Sequence, residues 1–195
     1  MGAHKFNPSR HLHLDTNERS QILPVEDVIG ILQPLEDLTV IDVGCGTGYF
    51  TMSFSQAVGP QGKVYAADIS EEMLTLLKER IPQTANLVMV LTEESCIPLD
   101  DGIADVIFMS AVYHEFDDRP TMVRELIRLA KPDARYIVID WNLDSDEQGP
   151  PLEHRVPKEI VVQEFSAASC QLLRQFEPGA NFYGLIFSRR KKEKN

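Results

Sequence analysis

The sequence predicts a doubly wound α/β domain of seven strands, mostly parallel, with an antiparallel hairpin at the C-terminal end. Short apolar runs alternate with segments whose apolar residues recur at helical spacing, the pattern of strands covered by helices on both faces. Three glycines within five positions, Gly44 to Gly48, separate the first apolar run from the first helix-spaced segment. Two final β-rich runs, CQLLRQF and NFYGLIF, flank the turn-forming EPGA and read as a hairpin.

The first strand is LTVIDVG from Leu38, apolar enough to be buried on both faces. After Gly48, the residues Phe50, Phe54, Ala57 and Val58 mark one face of a helix that Gly59 and Pro60 stop. The second strand, KVYAADI, ends at Asp68 and Ile69. Ser70 then supplies an N-cap, Glu71 and Glu72 suit the positive helix end, and Met73, Leu74, Leu77 and Ile81 form a stripe closed by Pro82. A third strand starts at Asn86 and leads into a polar loop; a fourth, ADVIFMSAV, starts at Ala104. Pro120 fits the first turn of the next helix, whose Met122, Leu126, Leu129 and Ala130 face the core until Lys131 and Pro132 end it. The fifth strand is RYIVIDWN. Residues 143–157 read as loop, followed by a short helix from Lys158.

A chain of 195 residues is close to the usual size of one domain. We divide it into an N-terminal segment, 1–24, a main domain, 25–189, and a basic tail, 190–195. Hydrophobic residues make up 43% and charged residues 25%, ordinary for a folded protein. No apolar run reaches the roughly 20 residues of a membrane span, and the N-terminus lacks the apolar core of a signal peptide, so a cytoplasmic protein is expected. A net charge of −11 repels phosphate backbones, which argues against nucleic acid as a partner. Cys45, Cys96 and Cys170 are odd in number and far apart, which supports neither a disulfide framework nor a zinc site. His4, His11 and His13 have no cysteine or carboxylate cluster beside them, and no metal site is expected.

The glycines ask what lies so close to the backbone, and a nucleotide-like cofactor is the obvious guest. Their spacing is G-x-G-x-G, not the G-x-G-x-x-G of dinucleotide sites, and no P-loop pattern is present. Asp68 ends the second strand twenty residues past Gly48, where a carboxylate accepts both hydroxyls of a ribose. Each residue also has a plainer role: the glycines as a strand-to-helix turn, Asp68 as a helix-flanking acid, Asp42 as a strand-end cap.

The stretch IDVGCGTG, with the DISEEML that follows Asp68, resembles the class I S-adenosylmethionine-dependent methyltransferases. TEESCIPLDDGIADVIFMS is similar to that family's acid, Leu-Pro turn and fourth strand. VYHEF and VRELIRLAKPDARYIVIDW are similar to its next loop, helix and fifth strand, so the resemblance runs from about Val28 to Ser188. It implies a Rossmann-like sheet of order 3-2-1-4-5-7-6, with S-adenosylmethionine as cofactor. It places Gly44, Cys45, Gly46 and Gly48 against that cofactor, with Asp42 ordering the methionine end, Asp68 on the ribose, and Ile69, Glu93, the Glu94 backbone and Ser110 also in the cofactor site. Cys45 then has a steric role, since the family accepts small residues there. Within the class the chain looks like the small enzymes related to ubiquinone and menaquinone biosynthesis and to arsenite methyltransferases. It departs from the arsenite pattern, which sets several cysteines around the acceptor.

Parallel sheets hold ligands at the carboxyl ends of their strands, so the loops after the fourth and fifth strands should bear on a small-molecule methyl acceptor. They carry Tyr113, His114, Glu115, Asp140 and Trp141. His114 is the first candidate base, because imidazole titrates near neutrality unaided, and Tyr113 is the second candidate catalytic group. Glu115, Asp140 and Trp141 are candidate acceptor contacts; His114 as a loop cap, and Trp141 or Tyr113 as packing residues, are the alternatives. Two rival functions stand beside methyl transfer: a non-catalytic cofactor-binding sensor or partner subunit of the same fold, and an NAD-dependent dehydrogenase. The segment from His4 to Leu23 is expected to fold over the carboxyl edge of the sheet as a partial lid.

Overall fold

Alternation along the strands decides which side chain goes to which face, because successive Cβ atoms point to opposite sides of a sheet. In the computed structural model, residues 17–81, 84–144 and 149–190 are described. The strands are β1 (Thr39–Val43), β2 (Lys63–Asp68), β3 (Leu87–Leu91), β4 (Ala104–Ser110), β5 (Ala130–Trp141), β6 (Cys170–Gly179) and β7 (Phe182–Arg189). They form one sheet of order β3-β2-β1-β4-β5-β7-β6. β1 to β5 pair in parallel, and β7 runs antiparallel to both β5 and β6. The hairpin is the one read from the sequence, and the order is the one that the family resemblance implied.

The helices are α1 (Asn17–Ile22), α2 (Val25–Leu32), α3 (Thr51–Val58), α4 (Glu71–Arg80), α5 (Arg119–Leu129) and α6 (Lys158–Ala167). On one face, Ile41, Ile107, Tyr136, Val138 and Phe187 pack with Met122 and Leu126 of α5 and Phe165 of α6. On the other, Val40, Val106, Phe108, Ile137 and Ile186 pack with Leu23, Val28 and Leu32 and with Phe54 of α3. Ser70 caps α4 by accepting the Met73 N–H, and Asp118 caps α5 by accepting the Thr121 N–H, so both helices start beside the carboxyl end of the sheet.

Three elements depart from the sequence reading, the first being α1, a six-residue helix in the segment before β1 that was not anticipated. α2 was not anticipated, although Val28, Ile29 and Leu32 form its buried side; its eight residues offer less than three turns of periodicity. β5 starts at Ala130, directly after α5, rather than at Arg135. Pairing with β4 runs from Ala104–Ala130 to Val106–Arg135 with a shift of register between them. Pro132, which has no N–H to give a ladder, sits in that irregular stretch. Among the described residues, no helix is long and apolar enough to cross a membrane.

Candidate cofactor and acceptor site at the strand ends

The glycine turn is tied to the next strand before it reaches its helix. The N–H groups of Gly44 and Cys45 both donate to the Ala67 carbonyl, at 2.8 and 3.1 Å, and Gly48 N–H donates back to Cys45 O at 2.9 Å. Gly44, Gly46 and Gly48 have φ of 67°, 54° and 89°, conformations that favour glycine. A Cβ on Gly44 would lie 2.4 Å from Val112 Cγ2, and one on Gly48 would lie 2.2 Å from Leu77 Cδ1. The absence of side chains at 44 and 48 is thus explained by packing of the turn on the β4 loop and on α4.

Asp68 closes the other side of the turn. Its Oδ2 accepts the Gly46 N–H and its Oδ1 the Ser70 N–H, both at 2.8 Å. Burial raises the pKa of this carboxyl group above the ordinary aspartate value, against the lowering effect of the backbone N–H groups of Ser70, Gly46 and Ile69. Asp42 is buried and accepts the Thr51 hydroxyl at 2.7 Å, which ties β1 to the first turn of α3. Burial, reinforced by Asp42 and Asp68, pushes the Cys45 thiol well up, so it stays protonated and unreactive. Arg80 reaches Thr47 in the turn from the end of α4.

The β3 side supplies the next residues outward. Thr92 N–H donates to the Asp68 carbonyl, which places the segment after β3 beside Asp68. Glu93 is exposed and its backbone pairs with Cys96, while Glu94 is half-buried. Ile69 and Leu91 leave apolar surface open at 49% and 50% exposure. Across the turn, Ser110 Oγ at the end of β4 is buried without a hydrogen-bond partner among the described residues. An orphaned buried hydroxyl, a carboxylate with oxygen lone pairs still to fill, and open apolar side chains fit an adenosine carrying polar groups. S-Adenosylmethionine would be held by Asp68, Ile69, Glu93 and Ser110 around the Gly44–Gly48 turn.

Beyond Ser110, Ala111 has φ of 55° and donates its N–H to Ile139 O at 2.8 Å. The chain then enters a single 3-10 turn, Tyr113–Glu115, that delivers His114 to Asp140 at the end of β5. His114 Nδ1 is 2.8 Å from Asp140 Oδ1, and the His114 backbone N–H donates to Asp140 Oδ2 at 3.0 Å. Facing a carboxylate, Nδ1 carries the hydrogen, which leaves Nε2 as the basic nitrogen, 3.8 Å from Glu115 Oε1. Burial lowers the imidazole pKa, but the charge and hydrogen bond of Asp140, with Glu115, outweigh it against an opposing effect of Arg155, and the net shift is upward.

The other acceptor-side candidates divide. Asp140 is almost fully buried and accepts from His114 twice and from the Trp141 N–H, so it orients the imidazole. Tyr113 is fully buried and donates its hydroxyl to Glu164 Oε2 at 2.6 Å, in the layer below with Phe116 and Phe165; burial and Glu164 push its pKa far up, which removes it as a base. Trp141 packs on Phe182 with ring centroids 4.2 Å apart, and the Arg155 guanidinium lies over it. Arg155 and Glu164 were not legible as site residues, since one lies in a loop without pattern and the other on an ordinary helix. Most of the expected lid lies outside the described residues, as do His4, His11 and His13. At its described end, Leu23 O accepts the Tyr49 hydroxyl at 2.8 Å, and Ile22 O lies against Gly179 of the hairpin.

A family model described as a methyltransferase domain matches residues 41–138, from β1 into β5. The demethylmenaquinone methyltransferase of Lactococcus lactis subsp. lactis (strain IL1403) is 32% identical over 108 residues, 54% of this chain and 43% of that one. The ubiquinone/menaquinone biosynthesis C-methyltransferase UbiE of Pasteurella multocida (strain Pm70) is 31% identical over 106 residues, 53% of this chain and 40% of that one. The match thus spans less than half the length of these curated relatives. A crystal structure of a SAM dependent methyltransferase from Aquifex aeolicus superposes with a TM-score of 0.89 at 34% identity, covering 94% of this chain and 98% of that one. With the family model spanning half the chain and that structure nearly all of it, the chain belongs to the class I S-adenosylmethionine-dependent methyltransferases.

Proposed function

We propose that this protein methylates a small-molecule acceptor by in-line displacement, with His114 accepting the acceptor's proton and Asp140 holding the imidazole. S-Adenosylmethionine, when bound, supplies a methyl group on a positively charged sulfur that departs as a neutral thioether. The chain's own work is therefore positioning and proton removal. The carrying observation is the His114–Asp140 pair, 2.8 Å apart, one in the turn after β4 and the other at the end of β5, with Val112 of the same loop packed on Gly44. Asp140 fixes the tautomer, and the acceptor's proton passes to His114 Nε2 as the new bond to the methyl carbon forms. Asp68, on the far side of the turn, accepts the ribose hydroxyls.

We further propose a reduced quinone ring as the acceptor. The curated relatives are named for menaquinone and ubiquinone methylation. Leu143 and Leu152 are exposed after β5, at 45% and 58%, and offer apolar surface to such a ring. A ring C–H carbon beside a hydroxyl-bearing carbon gives up its own hydrogen as a proton as the methyl group takes its place, which gives His114 its task. A cytoplasmic protein accords with three free cysteines. The test is turnover with methyl-labelled S-adenosylmethionine, a demethylmenaquinol and a metabolite extract, following labelled product and S-adenosylhomocysteine. Transfer to the quinol supports the proposal. Transfer only to another extract component replaces the quinol, and cofactor binding with no transfer to any fraction favours the non-catalytic sensor.

A further inference from the structure

Arg155 is buried at 7% exposure, an unusual place for a guanidinium, and it has no part in the mechanism above. Its Nη1 donates to Asn142 O at 2.7 Å and its Nε to Pro150 O at 2.9 Å. Its Cζ lies 5.8 Å from the centroid of the Trp141 ring. Trp141 and Asn142 directly follow Asp140, so this one side chain grips the two residues after the carboxylate that holds His114. The next residue, Val156, accepts the buried Tyr183 hydroxyl at 2.9 Å, which anchors the backbone beside Arg155 to β7. On its other side, a Cβ on Gly149 would come within 2.7 Å of the Trp141 ring, so the loop closes on that ring with no space to spare.

We propose that Arg155 is a positioning residue for the His114–Asp140 pair, fixing the turn after Asp140 and setting the charge that the imidazole feels. The charged groups acting on that imidazole are Asp140 from β5, Glu115 from its own turn and Arg155 from the segment before α6. The first two favour the imidazolium and the third opposes it. A lysine in place of Arg155 keeps the charge but lacks the planar fork that reaches two carbonyls at once. The catalytic meaning of this role rests on the reading of His114 as the proton acceptor; the role itself does not.

The experiment is a proton NMR titration of the His114 ring in the full chain, with its signals assigned by their loss in His114→Gln. In Arg155→Gln the His114 midpoint should rise by about half a pH unit or more, because a nearby positive charge is gone. In Arg155→Lys, which keeps the charge but loses the fork, the midpoint should rise by less than in Arg155→Gln. Gly149→Ala, which pushes on the ring beneath the guanidinium without removing a charge, should raise the midpoint and decides the matter if Arg155→Gln does not fold. A wild-type midpoint in Arg155→Gln, or in Gly149→Ala where that variant must serve, overturns the proposal. Full methyl transfer by His114→Ala would instead defeat the base assignment and leave this titration standing.

Discussion

The proposed proton removal depends on His114, and its surroundings give it two pH signatures. As a base it must be neutral, so kcat/KM should rise with pH through a midpoint above the ordinary histidine value of about 6.5. The stability linkage runs the other way. A raised folded pKa means the ion pair with Asp140 stabilises the fold fully below the unfolded pKa, and that contribution is lost as pH rises through the folded one. Denaturant titrations of wild type and His114→Gln should therefore differ most in mild acid and converge above neutrality. Replacing His114 by Ala should cut turnover by about 10²–10⁴-fold with cofactor affinity retained, measured by labelled-methyl transfer and titration calorimetry. Asp68 has its own signature: burial raises its pKa, so the affinity for S-adenosylmethionine should begin to fall at a higher pH than an exposed aspartate would allow. Calorimetry from neutrality down through the carboxylate range checks this, and affinity constant down to the ordinary aspartate pKa would refute it.

At the scale of elements, the glycine turn and the β4 loop form one packed unit. Gly44→Ala places a methyl group 2.4 Å from Val112 Cγ2 at φ of 67°. It should destabilise the fold by about 1–3 kcal/mol. Val112→Ala in the same chain should return part of that loss, a coupling that a double-mutant cycle in urea measures. The residue between β4 and that loop makes the complementary case. Ala111 adopts φ of 55° without being glycine, so Ala111→Gly should relieve strain and leave the melting temperature unchanged or raised; a large loss would show that the Ala111 methyl packs for its own sake. The hairpin shows how an exposed edge is kept from pairing. β6 carries register shifts between Leu172 and Arg174 and between Phe176 and Gly179, and such bulges break the flat row of donors that a second strand would need.

For the whole molecule, the strands were legible because buried parallel ones such as TVIDV and ADVIFMS are apolar almost throughout, while their order was implied by the family resemblance. Their crossover helices are closed by residues with a physical stop, such as Gly59 at φ of 68°. The start of β5 was hidden because Lys131 and Pro132 look like a helix terminus, and only pairing with Ala104 draws Ala130 into the sheet. In the site, Asp68, Tyr113, His114 and Asp140 could be singled out from position, whereas the pairings they make could not. Asp140 meets His114 across 26 residues of sequence and Glu164 meets Tyr113 across 51, contacts that no local pattern encodes. The proposed cofactor site centres on Asp68 as the carboxylate that accepts the ribose hydroxyls. Titration calorimetry with S-adenosylmethionine on wild type and Asp68→Ala tests it most directly. One equivalent should bind the wild type, and the variant should lose about 1.5–3 kcal/mol of binding energy, a weakening of roughly ten- to more than a hundredfold. Equal affinity in the two proteins would contradict it.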